Sequence, residues 1–175
     1  MSVPAALYVH DDAQAREFEP FALTRPVSTL VAGAFPIAQR LELALSATIK
    51  GAIAAAHLDD FDEPGAPTAA SGVIPRGSVI ANARFAPALA LGSSRQARES
   101  RTAPAVWRAG GRVVAVRLDR ELAVAELKDG TRGLESLTNS ENAMELEGWW
   151  MDEVWDFIRH LPAQLTDDLT RALAL

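Results

Sequence analysis

The stretch ALYVHDD, residues 6–12, decides the fold class that the sequence predicts. It is a short apolar run ending in two acidic residues, which is typical of a buried β-strand followed by a polar loop. Further along, residues 33–46 carry Ile37, Leu41 and Leu45 at helical spacing and predict an amphipathic helix. The chain is therefore expected to begin with a strand, a loop and a helix.

Three more apolar segments predict strands. They are GAIAAAHL at residues 51–58, the segment around residues 78–81, and GRVVAVRL at residues 111–118. The polar and basic segment at residues 92–104 is expected to be an exposed loop. Because these strands alternate with helical patterns, we expect an α/β fold with an open, mostly parallel, Rossmann-like sheet flanked by helices.

The last third of the chain is predicted to be helical. Residues 138–141, TNSE, fit a capping box, and Pro162 either opens a final helix or breaks the chain before it. Apolar residues recur at helical spacing at Trp150, Val154, Phe157, Ile158 and Leu161. Trp149, Trp150 and Trp155 are expected on this one amphipathic helix, anchoring it to a core, and stacking on a sugar or base is the alternative.

Composition limits the classes of function. The 175 residues fit a single domain, residues 1–175, that is large enough to hold a pocket. The chain has no cysteine and its three histidines lie far apart, so we expect neither a thiolate nucleophile nor a zinc site. Its net charge of -6 argues against nucleic-acid binding, and its longest apolar runs are shorter than a membrane span. We therefore expect a cytoplasmic protein with no nucleic-acid or membrane partner.

Positive charge is concentrated in the middle of the chain, where residues 76–120 contain nine arginines and two acids. One interpretation is a bias in base composition that leaves most of these arginines in solvent. The other is that some of them line a site for phosphates or a carboxylate, since the planar guanidinium group suits both anions.

Two short segments near the start supply candidate site residues. Asp11 and Asp12 follow the first predicted strand, at the edge where open α/β sheets bind ligands, and could hold Mg²⁺. The alternative is that one of them caps the next segment. In Thr24-Arg25-Pro26, the proline holds the arginine in a loop that leads into a helix. Arg25 is therefore expected either to face an anion or to form a surface salt bridge.

Three segments, in this order, carry a resemblance to a known family. They are PFALTRPVSTLVAGAFPIAQRLE at residues 20–42, SVIANARF at residues 78–85 and WDFIRHLPAQLTDDL at residues 155–169. The chain resembles the sugar nucleotidyltransferases of the nucleoside-diphosphate-sugar pyrophosphorylase superfamily over residues 5–170. It is similar to the N-terminal half of bifunctional N-acetylglucosamine-1-phosphate uridyltransferase/acetyltransferase.

The resemblance implies a function and a set of residues. Enzymes of that family join a sugar 1-phosphate to a nucleoside triphosphate and release pyrophosphate, with Mg²⁺ and cationic groups neutralising charge. It implies that the chain binds a nucleotide, a sugar phosphate or a nucleotide sugar, and that Mg²⁺ is the cofactor to test. The matching phosphate-binding or nucleotide-binding positions are Thr24, Arg25, Gly33, Asn82 and Arg84, with Asp11 and Asp12 as acids next to a metal.

The sequence departs from the family pattern at three places. The glycine-rich GxGTR loop is absent, Val27 stands at the lysine position, and Arg84 stands at the position of the metal-binding aspartate. The resemblance therefore assigns no catalytic residue. A second hypothesis is a non-catalytic interaction or oligomerisation module, including a homo-oligomer, that retains the fold. Similar proteins continue into a left-handed β-helix, so the chain is expected to be a stand-alone domain or the N-terminal part of a longer protein.

Overall fold

The computed structural model describes residues 4–90, 105–139 and 142–173, so the predicted loop at residues 92–104 and half of the predicted capping box lie outside it. The strands are β1 (Ala5–His10), β2 (Val31–Ala32), β3 (Phe35–Pro36), β4 (Ala47–Ile53), β5 (Val73–Ile74), β6 (Val79–Asn82), β7 (Phe85–Pro87), β8 (Val106–Ala109), β9 (Arg112–Arg117), β10 (Leu122–Ala123), β11 (Ala143–Glu145) and β12 (Gly148–Trp150). The α-helices are α1 (Ile37–Leu45), α2 (Asp156–Arg159) and α3 (Leu161–Ala172).

Six strands form the central sheet, in the order β11-β8-β9-β6-β1-β4. β1 is parallel to β4 and β6, and β11 is parallel to β8, whereas β9 is antiparallel to both of its neighbours. The predicted α/β class and mostly parallel sheet are confirmed. The strand predicted at residues 111–118 is present as β9, but it follows β8 through the tight turn of Gly110 and Gly111, and such a hairpin requires antiparallel strands.

Apolar side chains cover both faces of the sheet. Leu7 of β1 lies in one buried cluster with Leu41 of α1. Ile80 of β6 lies in a second cluster with Leu122 and Leu127. The central strands are thus buried on both faces, which accounts for their nearly continuous apolar sequences.

Two element boundaries differ from the sequence prediction. The helix predicted from residue 33 begins at Ile37, because β2 and β3 form a small hairpin whose turn contains Gly33 at a φ of 73°. The strand predicted at residues 51–58 spans Ala47–Ile53 instead. Ser46 adopts a left-handed conformation, with a φ of 50°, and ends α1 so that the chain enters β4 at once.

The helical C-terminal third is only partly confirmed, since α2 and α3 are preceded by β11 and β12. Trp149 and Trp150 lie on β12, which pairs with β7, and Trp155 directly precedes α2. One amphipathic helix carrying three tryptophans is therefore wrong, because strand pairing overrides the helical spacing of the apolar residues. Pro162 lies in the first turn of α3, as predicted. Among the described residues, no helix has the length and apolar character needed to cross a membrane.

A buried ion pair fastens α3 to the rest of the domain. Arg40 of α1 is fully buried and donates from Nη2 to both carboxylate oxygens of Asp168, at 2.5 Å. It also donates to the carbonyls of Ala32 and Pro87, at 2.6 and 2.8 Å. Asp168 in turn accepts from the backbone N–H of Ala34, in the β2–β3 turn. A polar network therefore fixes the β2–β3 hairpin, α1 and α3 together.

Candidate functional site

The candidate site lies at the carboxyl ends of two neighbouring parallel strands, β1 and β6. His10 at the end of β1 pairs with Asn82 at the end of β6, so the residues that follow each strand leave the sheet side by side. Asp12 and Arg84 follow these two strand ends. Ligands of open α/β sheets bind at this edge, outside the carboxyl ends of the strands.

Arg84 joins the polar side chains at this edge. It donates from Nε and Nη2 to the two carboxylate oxygens of Asp12, both at 2.8 Å, and from Nη1 to Asp152 at 2.7 Å. Nη1 also donates to the carbonyl of Met151 at 3.1 Å. Burial on its own lowers the pKa of Arg84, but the hydrogen bonds and charge of Asp12 and Asp152 outweigh it and raise this pKa. Arg84 is therefore a buried, fully charged group with most of its donors in use.

Asn82 fixes the geometry of this ion pair. Its Nδ2 donates to Asp12 at 2.8 Å, and its Oδ1 accepts from the backbone N–H of Arg84 at 2.8 Å. Burial on its own raises the pKa of Asp12, but the bonds and charge of Arg84 dominate, so this pKa lies below its usual value. Asp12 is therefore a carboxylate at neutral pH.

The two acids that follow β1 do not fit a Mg²⁺ ion in this arrangement. Asp12 already accepts from four donors, since the backbone N–H of Ala15 adds to the bonds from Asn82 and Arg84. Asp11 is buried and accepts from the backbone N–H of Val27 at 3.0 Å, and burial raises its pKa to about 7. Mg²⁺ needs several free oxygen ligands in octahedral geometry. Within the described part of the chain, no cluster of three His, Asp or Glu side chains could hold a metal.

Arg112, which sequence reasoning missed, is the more available cation at this edge. Its guanidinium group lies 3.8 Å from the ring centroid of Trp150, and its Nη1 donates to both oxygens of Asp152 at 2.9 and 3.0 Å. Among the described residues, Nε and Nη2 of Arg112 have no hydrogen-bond acceptor. The side chain is 38% exposed, so these N–H groups can reach a ligand.

These side chains surround a small polar pocket of about 200 Å³. Its walls include His10, Asp12, Asn82, Arg84, Arg112, Trp150 and Glu135. Arginine side chains provide donors on its walls, while carboxylates and an imidazole provide acceptors. A ligand with both hydroxyl and anionic groups therefore matches the chemistry of this pocket better than an apolar one.

A larger groove of about 870 Å³ begins on the other side of Asp152. The backbone N–H of Asp152 donates to the buried carboxylate of Asp156 at 2.8 Å, which fixes the segment leading into α2. Large apolar side chains line this groove and remain exposed, and they are Phe21, Val31, Trp155 and Ile158. Its charged lining residues are acidic, and they are Glu17, Glu19, Asp152 and Glu153. Asp152 thus lines the groove while its carboxylate holds two arginines of the pocket.

The other residues predicted from the sequence lie elsewhere. Thr24 is exposed and donates to the carbonyl of Phe21, and Arg25 forms a 3.3 Å salt bridge with the half-exposed Glu63. Gly33 faces the Arg40–Asp168 pair described above. The fold therefore brings together Asp12, Asn82 and Arg84, and leaves Thr24, Arg25 and Gly33 in other surroundings. Their predicted roles in binding stay predictions.

Comparison with known proteins gives one match. A family model described as sugar nucleotidyl transferase matches residues 7–173. No curated protein and no solved structure matches the chain.

Proposed function

Because the chain belongs to the sugar nucleotidyl transferase family, we propose that it binds a nucleotide, a sugar phosphate or a nucleotide sugar at the carboxyl edge of β1 and β6. The observation that carries the proposal is Arg112, whose free N–H groups line a polar pocket at this edge. A guanidinium group presents its donors in a planar fork that matches a phosphate. Arg112 is therefore the proposed phosphate ligand.

The ion pairs at this edge allow the phosphate of a ligand to replace the carboxylate of Asp152 beside Arg112. Asp152 is bonded to both Arg112 and Arg84, and its side chain is 47% exposed, so its ion pairs contribute less than fully buried ones would. Arg84 stays bonded to Asp12, so these two opposite charges remain paired in the pocket. An arriving phosphate can thus take the place of Asp152 beside Arg112.

The groove beyond Asp152 supports an extended ligand. Trp155 is 71% exposed there and offers a flat apolar face, which suits stacking by a base or a sugar ring. The acidic side chains Glu17, Glu19 and Glu153 can accept hydrogen bonds from ligand hydroxyl groups. In a nucleotide sugar, the phosphates lie between a nucleoside and a sugar, and both of these carry hydroxyl groups. Such a ligand is long enough to occupy the polar pocket and the groove together.

Binding is proposed here without nucleotidyl transfer. The resemblance links transfer to a glycine-rich loop, a lysine and a metal-binding aspartate, and Val27 and Arg84 stand at the last two positions. We expect no release of pyrophosphate from a nucleoside triphosphate and a sugar 1-phosphate, with or without Mg²⁺. Release that depends on Arg112 would extend the proposal from binding to catalysis.

Titration calorimetry and thermal unfolding with nucleotide sugars, nucleoside triphosphates and hexose 1-phosphates test the proposal. At least one ligand should raise the unfolding midpoint, since a ligand that binds only the native state stabilises it. Arg112→Ala should weaken that binding about tenfold or more, the loss of a hydrogen-bonded charge pair. The matched control is Arg108→Ala on the same hairpin, because Arg108 does not line the pocket. Arg25→Ala tests the binding role predicted from the sequence, and the absence of any binding at millimolar ligand would refute the proposal.

A second candidate function is a non-catalytic interaction module. The exposed apolar residues of the groove favour it, since Trp155 and Ile158 are 71% and 66% exposed. Size-exclusion chromatography with light scattering tests the version in which the chain assembles with itself. A strict monomer at all concentrations would argue against that version.

A further inference from the structure

His10 carries a buried nitrogen atom without a partner. The side chain is fully buried at the end of β1, and its Nε2 lies 3.2 Å from the carbonyl oxygen of Leu127. A carbonyl oxygen only accepts, so Nε2 carries the proton and Nδ1 of the neutral ring carries a lone pair. Among the described residues, no donor reaches Nδ1. A buried acceptor that lacks a donor is unfavourable, and the described residues supply none, so a ligand group that donates to Nδ1 would be stabilising.

The surroundings of His10 provide room for such a partner. The polar pocket of about 200 Å³ borders His10, together with Asn82, Arg112 and Glu135. The imidazole ring has no exposed surface in the free protein, so the side chain must turn slightly for Nδ1 to meet a group bound in the pocket. A water molecule occupies about 30 Å³ in the liquid, so the pocket has room for a group as large as a monosaccharide ring. The pocket lies next to the proposed phosphate ligand, Arg112.

The donors and acceptors of this pocket indicate which chemical group of a ligand binds beside His10. The phosphate of a sugar phosphate is a monoester with a second pKa of about 6, so at neutral pH it is mostly a dianion whose oxygens only accept hydrogen bonds. It therefore suits the N–H groups of Arg112 and is disfavoured beside Nδ1 of His10 and the carboxylate of Glu135. A hydroxyl group can donate to Nδ1 of His10 and accept from a neighbouring arginine. Several hydroxyl groups on one ring therefore satisfy opposite walls of the pocket at once.

We propose that Nδ1 of His10 accepts a hydrogen bond from a sugar hydroxyl group of the ligand whose phosphate is bound by Arg112. His10 is then a specificity-determining residue that selects a sugar phosphate over phosphate alone. This inference rests on the proposed function, because Arg112 must bind the phosphate for the sugar to enter the pocket.

The direct test is the ¹⁵N NMR spectrum of histidine side chains, with methyl phosphate, glucose 1-phosphate, mannose 1-phosphate and N-acetylglucosamine 1-phosphate as probes. Three histidines contribute, and His10→Gln identifies the signals of His10. In the free protein, Nε2 should show an attached proton and Nδ1 should not. A hexose 1-phosphate should shift the Nδ1 signal towards that of a hydrogen-bonded nitrogen, and methyl phosphate, which has no hydroxyl group to donate, should leave it unchanged.

Affinity provides the second measurement. A glutamine amide can donate to Leu127 as Nε2 does but offers no acceptor at the Nδ1 position, whereas an asparagine oxygen can replace Nδ1. His10→Gln should weaken hexose 1-phosphate binding about five- to tenfold, the effect of one neutral hydrogen bond, and His10→Asn should recover part of it. Binding of methyl phosphate should change much less than binding of a hexose 1-phosphate in both variants.

Three outcomes would overturn the inference in distinguishable ways. If a hexose 1-phosphate binds with dependence on Arg112 but neither shifts Nδ1 nor responds to His10→Gln, the inference fails and the proposed function stands. If methyl phosphate shifts Nδ1 as much as the sugar phosphates do, selection by His10 fails. If the native protein binds none of the probes and no nucleotide sugar, both fail together. Should the His10 variants not fold, the NMR spectrum of the native protein decides.

Discussion

Replacing Arg84 by methionine removes the buried cation that joins Asp12 to Asp152, and the burial of these two acids sets the cost of the substitution. Removing one partner of a buried ion pair costs about 3–5 kcal/mol, because the other charge stays buried without compensation. The side chain of Arg84 is 5% exposed and that of Asp12 is 18% exposed, so this pair belongs to the buried class. Asp152 is 47% exposed and keeps its ion pair with Arg112, so losing Arg84 there adds little to the loss of stability.

We therefore expect Arg84→Met to lower the free energy of unfolding by about 3 kcal/mol, at the lower end of the range for buried pairs. For a domain of this size, that is a fall in the unfolding midpoint of about 6–12 °C. Chemical and thermal unfolding, followed by circular dichroism, measure both quantities. The matched control is Arg108→Met, an arginine with a single exposed bond to Gly111, for which we expect a change within about 0.5 kcal/mol.

The double variant Arg84→Met/Asp12→Asn shows how much of this loss of stability comes from the Asp12 carboxylate that is left without its cation. Without its cation, the Asp12 carboxylate opposes folding, so neutralising it should make the double variant more stable than Arg84→Met alone. The two substitutions should thus be strongly non-additive, as expected for residues in direct contact.

The pH dependence has a definite sign. Arg84 holds the pKa of Asp12 below its ordinary value of 3.8, so this pair stabilises the native state above that pH and stops doing so as the pH falls through the lower pKa. The stability difference between the native protein and Arg84→Met should therefore shrink as the pH falls, first where the buried Asp12 carboxylate of the variant takes up a proton and then through the lower pKa of the native protein. A loss under about 1 kcal/mol at pH 7, or a difference that does not change with pH, would refute this assignment of a buried pair.

Two further variants test other parts of the structure. Burial raises the pKa of Asp11 to about 7, so the native state keeps a proton that the unfolded chain releases near 3.8, and stability should fall as the pH rises between these values. Asp11→Asn should remove this fall in stability, so the variant should be more stable than the native protein above pH 7, by at most about 4 kcal/mol. A gain in stability that is equal at pH 4 and pH 8 would contradict this expectation. Gly33→Ala should cost clearly more than Gly65→Ala in unfolding experiments, because both glycines have positive φ but only at Gly33 would a Cβ atom collide with Asp168 and Arg40. Equal costs would show that the polar network around Gly33 can move aside.

Sequence analysis identified part of the site because its signals are local. Asp11 and Asp12 follow an apolar run that predicts a strand, and Asn82 and Arg84 were identified through the resemblance of residues 78–85 to the family. Because carboxyl ends of parallel strands share one edge of a sheet, residues that follow such strands, as Asp12 and Arg84 do, can meet there. The second ionic partner of Arg84 was not predictable, since Asp152 lies 68 positions away in the sequence and follows no predicted strand.

Arg112 and His10 were missed for different reasons. Arg112 opens a segment that was predicted as a strand of a mostly parallel sheet, and a parallel strand would have put it at the opposite edge. His10 belongs to an apolar run, and the three histidines lie too far apart to form a ligand motif, so the sequence predicts only a strand residue there. The concentration of arginines at residues 76–120 was the available signal for Arg112, but it could not distinguish this arginine from eight others.

The α/β class, the approximate positions of four strands and the family could be predicted from the sequence, because apolar runs and short motifs are properties of neighbouring residues. Which charges meet depends instead on how distant strands pair. β9 runs antiparallel to β6, and this direction brings the start of β9, with Arg112, to the edge where β6 ends at Asn82. Strand direction depends on pairing between distant segments, and a reversed strand would present its other end, so no local pattern could have placed Arg112 beside Asp152 and Trp150.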